Sequence, residues 1–288
     1  MKKIFTQSHV IRTILIFCMI PFTACTQAEE PFDELIPLED YSIFIQDSEQ
    51  EAIFMQAIQA CQTSIHQGKS IGVFGGSLSS LPESDIAKGL WMKYLKTTIK
   101  TYGSPGSGFC TKEHNIQQQV DNAGIHDIYI LWASTNDYTS LLPVGLPTDY
   151  TEYDRFNTSR QYTQCGGINY CIKQLREKNP ECTIYLFTSL KFFGPDGEQV
   201  YGYNQETDKD NGSGLSFYAY TQRQKECARL QGISYFDQWE AQEGRIWKDN
   251  FNIYYKEDGC HMTEYGYFDI GIRQLLFWHN KVNNKQFI

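Results

Sequence analysis

Five short stretches of the chain are apolar almost without interruption: SIGVFG (70–75), TIKTY (98–102), DIYILWA (127–133), TIYLFTS (183–189) and ISYFD (233–237). Runs of this length, rich in β-branched and aromatic residues, predict strands buried on both faces. Between them, helical patterns lie near 48–66, 85–96, 113–122, 163–178, 214–231 and 263–281. The last opens at Thr263 and Glu264 and continues through Tyr267, Ile270, Ile272 and Leu275. Strand alternating with helix predicts right-handed crossovers and an α/β fold, with a parallel sheet covered on both faces.

Two segments fit neither pattern. Residues 137–156 and 191–214 each follow the C-terminal end of a predicted strand, which is the ligand-binding edge of an open α/β sheet. No internal repeat interrupts the series, so one domain over 46–288 is expected, preceded by a targeting segment (1–24) and an acidic tether (25–45).

The targeting segment combines basic Lys2, Lys3 and Arg12 with an apolar stretch, Thr13–Phe22, too short to span a membrane. Thr23, Ala24 and Cys25 then resemble the lipobox of bacterial lipoproteins, which implies acylation of Cys25. Phe22 stands where leucine is usual, and plain secretion is the alternative. The acids after Cys25 also resemble a surface-export signal of Bacteroidetes lipoproteins. The expected location is therefore the bacterial outer membrane, on its periplasmic or surface face, with membrane contact through the anchor alone.

Composition is that of a globular protein, 41% hydrophobic and 20% charged. The net charge of −9 becomes −12 once residues 1–24 are removed, with 22 basic against 34 acidic side chains. An acidic chain repels phosphate backbones, so nucleic acid is not an expected partner, and a monomer acting on neutral substrates is. Seven cysteines lie beyond the lipobox, none spaced as CxxC, which excludes zinc-ribbon and thioredoxin readings. DKDNGSG (208–214) lacks the glycine and final glutamate of a calcium loop and reads as a solvated turn. Neither metal nor cofactor is expected.

Four polar elements carry the candidate chemistry. Ser77 follows the first strand in VFGGSLSS, where two glycines permit a sharp turn into a helix and leave the hydroxyl exposed. Asp258-Gly259-Cys260-His261 places an aspartate three residues ahead of a histidine, and no other histidine has that offset. Such an aspartate can orient the imidazole as a base for serine. Asn136, after the third strand in LWASTNDY, can donate to an oxyanion, and YGSPGSGF after the second offers a backbone N–H at Gly106 or Gly108. Of the other histidines, His66 and His114 read as surface residues of polar helical stretches.

GGSLS, Gly106, STND and DGCHMTEYGY together resemble the four sequence blocks of the SGNH, or GDSL-type, hydrolases across nearly all of residues 68–281. The resemblance implies a three-layer αβα sandwich with a five-stranded parallel sheet. It implies Ser77 as nucleophile, His261 as general base and then acid, and Asp258 as its orienting carboxylate. Oxyanion donors would be the Ser77 and Gly106 amides and the Asn136 side chain. Two positions depart from the pattern: Gly76 replaces the usual aspartate and Ser134 the glycine of GxND. The implied activity is ester hydrolysis through an acyl-enzyme, with a carbohydrate or small-molecule ester as substrate and polysaccharide O-acetyl groups as the class favoured by export. A silent glycan-binding lipoprotein and an acyltransferase are the alternatives. Tyr138, Tyr150, Tyr153, Phe156, Tyr201, Tyr203 and Trp132 either stack on sugars or pack the loops. Cys110 and Cys260 each adjoin a proposed catalytic block, and a disulfide between them is expected.

Overall fold

The computed structural model describes residues 35, 37–150, 161–193, 215–242, 245–246 and 249–282. Its strands are β1 (Ser70–Gly75), β2 (Thr98–Thr101), β3 (Ile128–Trp132), β4 (Thr183–Phe187) and β5 (Ser234–Phe236). The longer helices are α1 (Ser48–Cys61), α3 (Asp85–Leu95), α4 (Ile116–Asp121), α6 (Gln164–Lys178), α7 (Phe217–Leu230) and α10 (Glu264–Val282). Four single-turn α-helices also lie among the described residues: α2 (Ser77–Ser80), α5 (Asn136–Thr139), α8 (Gln238–Ala241) and α9 (Phe251–Tyr254).

All five strands pair in parallel in the order β2-β1-β3-β4-β5. Alternation along β3 explains its unbroken hydrophobicity. Ile128, Ile130 and Trp132 point into a core shared with α1, α3 and α10, whereas Tyr129 and Leu131 point into one shared with α4 and α6. This is the expected three-layer α/β sandwich. Its strand order reverses direction between β1 and β3, and the loops after those strands diverge there to leave a crevice. Ser77 follows β1 and Asn136 begins α5 just after β3, so the two flank that crevice.

Three expectations change. The helix expected over 113–122 starts only at Ile116, because the Asn115 side chain caps it by accepting from Gln118 N at 2.9 Å. Likewise, α1 ends at Cys61, and the turns beyond it carry His66 inward to 2% exposure. There His66 Nε2 meets the Tyr185 hydroxyl at 2.8 Å beside Trp278, so His66 is a core residue and not a surface one. Burial first, then the charge of Lys69, pushes its pKa down to about 4. The folded part also begins ahead of residue 46, since Tyr41 is buried and Phe44 stacks on Phe268 with ring centroids 5.3 Å apart. Residues 1–34, and with them Cys25, lie outside the described residues, as do 151–160 and 194–214.

Candidate active site

The Asp258 loop is a tight reversal between Tyr255 and Met262, which form an antiparallel bridge. Lys256 N donates to His261 O at 2.8 Å, and Gly259 turns the chain with φ +65° while donating to Lys256 O. Asp258 divides its carboxylate between shape and chemistry. Oδ1 accepts from the amides of Cys260 and His261, both at 2.9 Å, and Oδ2 meets His261 Nδ1 at 2.6 Å.

A carboxylate can only accept, so Nδ1 carries the proton and Nε2 presents its lone pair. That lone pair faces Ser77 Oγ at 2.8 Å. A serine, a histidine and an aspartate, drawn from residues 184 positions apart in sequence, thus form one hydrogen-bonded chain. Burial opposes ionisation of Asp258, but hydrogen bonds from the His261 ring and the two amides outweigh it and hold its carboxyl below the usual range. Nearby, Glu83 and Lys256 pair at 2.5 Å, and chiefly that bond keeps Glu83 low as well. The pair ties the segment after Ser77 to the loop holding Asp258.

The strand end that launches Ser77 is gripped by Gln119. Gln119 Oε1 accepts from Gly75 N at 2.9 Å and Nε2 donates to Gly75 O at 3.0 Å. Across the crevice, Asn136 Nδ2 donates to Ser107 O at 2.9 Å and to Ser134 Oγ at 3.1 Å. Gly76 sits against this amide: a Cβ there would stand 2.7 Å from both Asn136 Nδ2 and Ser107 O. A side chain at 76 would therefore press on Asn136 and on the Ser107 carbonyl.

Gly106 occupies the third position of a turn over Ser104–Ser107, closed by Ser107 N donating to Ser104 O at 3.2 Å. Its φ of +81° and the preceding Pro105 suit a type II turn. The same loop is pinned by Asp137, which is 1% exposed and accepts from the amides of Phe109 at 2.8 Å and Cys110 at 3.0 Å. Burial raises the Asp137 pKa in spite of those amides. Gly108 has a different job from Gly106: a Cβ on it would strike Asp137. Beneath Ser134, Ser189 Oγ donates to Ser134 O at 3.0 Å, and Gln224 holds Ser189 from α7.

The structure thus brings Ser77, Asp258, His261 and Asn136 to one edge of the sheet, with Gly106 on a loop bonded to Asn136. It does not join Cys110 to Cys260. Both thiols are free: Cys110 Sγ donates to Asp137 Oδ1 at 3.3 Å, and Cys260 Sγ lies 3.7 Å from Thr135 Oγ1. Trp132 and Tyr138 are buried to 0% and 2% exposure, so neither offers a face to a sugar. Tyr150 is half-buried and packs on Tyr170. Tyr153, Phe156, Tyr201, Tyr203 and residues 208–214 lie outside the described residues.

Gln119, Ser134 and Asp137 are supporting residues beyond those the sequence motifs single out. Asp137 carried the clearest signal, a carboxylate directly beside Asn136 at the start of an insert.

By sequence, no family model and no curated protein matches the chain. By structure it is similar to a lipase candidate from Chitinophaga pinensis, at 16% identity and a TM-score of 0.55, over 75% of this chain and 100% of that one. It is similar to a GDSL-like lipase candidate from Bacteroides uniformis at 14% identity and a TM-score of 0.50, over 76% and 97%. A protein from Lactobacillus plantarum matches with a TM-score of 0.57 at 15% identity, over 75% and 98%. At these identities the likeness establishes the fold. It is the three-layer fold of the SGNH, or GDSL-type, hydrolases.

Proposed function

We propose that the protein is a serine esterase in which Ser77 is the nucleophile, His261 the general base and Asp258 the residue that orients it. The observation that carries this reading is the continuous relay from Asp258 Oδ2 through the imidazole to Ser77 Oγ, at 2.6 and 2.8 Å. With Nδ1 protonated, Nε2 takes the Ser77 proton as Oγ attacks an ester carbonyl. Asp258 stabilises the imidazolium that results. The oxyanion is received by the Ser77 and Gly106 amides and by Asn136 Nδ2, which keeps one of its two hydrogen bonds, to Ser107 O or Ser134 Oγ, and turns its other hydrogen to the oxyanion. His261 then protonates the leaving alcohol, and water activated by the same imidazole releases the acid. Loss of one oxyanion donor costs on the order of 10²–10³ in turnover.

The substrate class is the O-acetyl groups of polysaccharides, supported by the acidic, neutral-ligand-favouring composition and the export signals of residues 1–25. Those same signals support a lipid anchor on Cys25, with membrane attachment through it. The test is turnover of p-nitrophenyl acetate and acetylated xylan by the wild type and by Ser77→Ala. The wild type hydrolyses both, and Ser77→Ala loses on the order of 10³ or more in kcat. Equal rates remove the esterase reading.

A further inference from the structure

A cavity of about 420 Å³ opens beside the 103–108 loop, on the β2 side of the crevice. Its volume falls within the roughly 300–1,000 Å³ of small-molecule sites. Ser104 forms one wall, and α4 with the turn before it forms the other. No acid, lysine or arginine lines it. Asn115 and Gln119 are its buried members, both already committed to internal hydrogen bonds. Ser104 is half-buried, and His114, Gln118 and Asn122 are exposed. The side chains of these four make no hydrogen bond among the described residues.

From this lining we infer that the cavity is a subsite for a neutral glycan chain whose ester lies at Ser77. Carboxamides and hydroxyls donate and accept at once, as sugar hydroxyls do, so uncharged polar side chains with open valences complement a sugar edge. An anionic ligand would find no lysine or arginine here, on a chain already carrying net charge −9. Tyr102 supplies an apolar wall, held in place by stacking on Phe74 with centroids 5.0 Å apart.

The subsite is also joined to the oxyanion loop. Ser107 Oγ donates to His114 O, and Ile116 N donates to Gly108 O at 2.9 Å. His114 itself sits at φ +53°, a sparsely populated conformation for a side-chain-bearing residue. A glycan bridging Ser104 and Gln118 therefore touches the turn that presents Gly106 and the helix whose Gln119 grips Gly75. The inference rests on the esterase reading for the position of the ester. Binding to the subsite is measurable without turnover.

Calorimetric titration in a Ser77→Ala background separates the two. The probes are O-acetylated xylo-oligosaccharides, O-acetylated glucomannan oligosaccharides and O-acetylated cello-oligosaccharides. Ser77→Ala is expected to bind at least one of them. Adding Gln118→Ala and Asn122→Ala weakens that binding about tenfold, the effect of losing two modest hydrogen bonds. Adding instead Gln56→Ala, an exposed residue of a cavity between α1 and α10, leaves it unchanged. Undiminished affinity after Gln118→Ala and Asn122→Ala overturns the subsite, as does failure of all three probes to bind. If binding behaves as expected while the wild type releases no acetate, the esterase reading fails and the subsite stands.

Discussion

Ser134 Oγ receives a hydrogen bond from Asn136 Nδ2 at 3.1 Å and passes its own hydrogen to Ser107 O at 2.8 Å. The residue that departs from the GxND pattern is thereby a brace for the side chain proposed to bind the oxyanion. Ser134→Gly removes the brace and leaves Asn136 with Ser107 O alone. The expected result is a fall in kcat of about tenfold with KM little changed, since one hydrogen bond of ordinary strength is lost. A rise in KM at constant kcat would make Ser134 a substrate contact instead.

Gly76→Ala tests the opposite side of the same amide. Its new Cβ would lie 2.7 Å from Asn136 Nδ2 and from the Ser107 carbonyl oxygen, and the backbone has less room to yield than the side chain. Displacement of Asn136 should cost on the order of 10²–10³ in kcat, with the circular dichroism spectrum intact. Wild-type turnover in this variant would contradict the placement of Asn136 in the oxyanion site.

The strands and longer helices were legible in the sequence because each answers to a local rule. β3 is apolar throughout since both of its faces are covered, and α10 is apolar over much of its length because the sheet, α1 and α3 bury most of its circumference. Ser77, His261 and Asp258 could be found by residue type and offset, as their chemistry admits few substitutes. Gln119 could not, because its partners are backbone groups of Gly75 that only the tertiary fold brings near. The burial of His66 is hidden for a similar reason. Polar neighbours in sequence surround it, but the turn after α1 aims it at Tyr185.

His66 gives the protein an acid-sensitive core. Its pKa falls from the ordinary 6.5 to about 4 on folding, so the unfolded chain binds the proton more readily between those values. The stability due to its neutral form is present above pH 6.5 and is lost as pH falls through about 4. The slope is at most about 1.4 kcal/mol per pH unit. His66→Gln keeps an acceptor for the Tyr185 hydroxyl and removes the titration. Urea midpoints of this variant should therefore decline less than wild type between pH 6.5 and 4. Parallel declines would assign the acid lability to other groups.

Seven free thiols lie among the described residues, six of the seven raised in pKa first or partly by burial. Cys110 and Cys260 hydrogen-bond to different partners, Asp137 and Thr135, and are not linked. Peptide mapping of unreduced protein should recover Cys110 and Cys260 as separate, alkylatable peptides after denaturation. A Cys110–Cys260 linked peptide would contradict the geometry.

The proposed catalysis depends on activation of one hydroxyl by one imidazole. Reaction with a fluorophosphonate, followed by mass mapping of the modified peptide, reads this directly and needs no knowledge of the natural substrate. Wild-type protein should be phosphonylated at Ser77, and His261→Asn should slow that reaction on the order of 10³-fold or more. Modification at another serine, or an equal rate at Ser77 in both proteins, would contradict it.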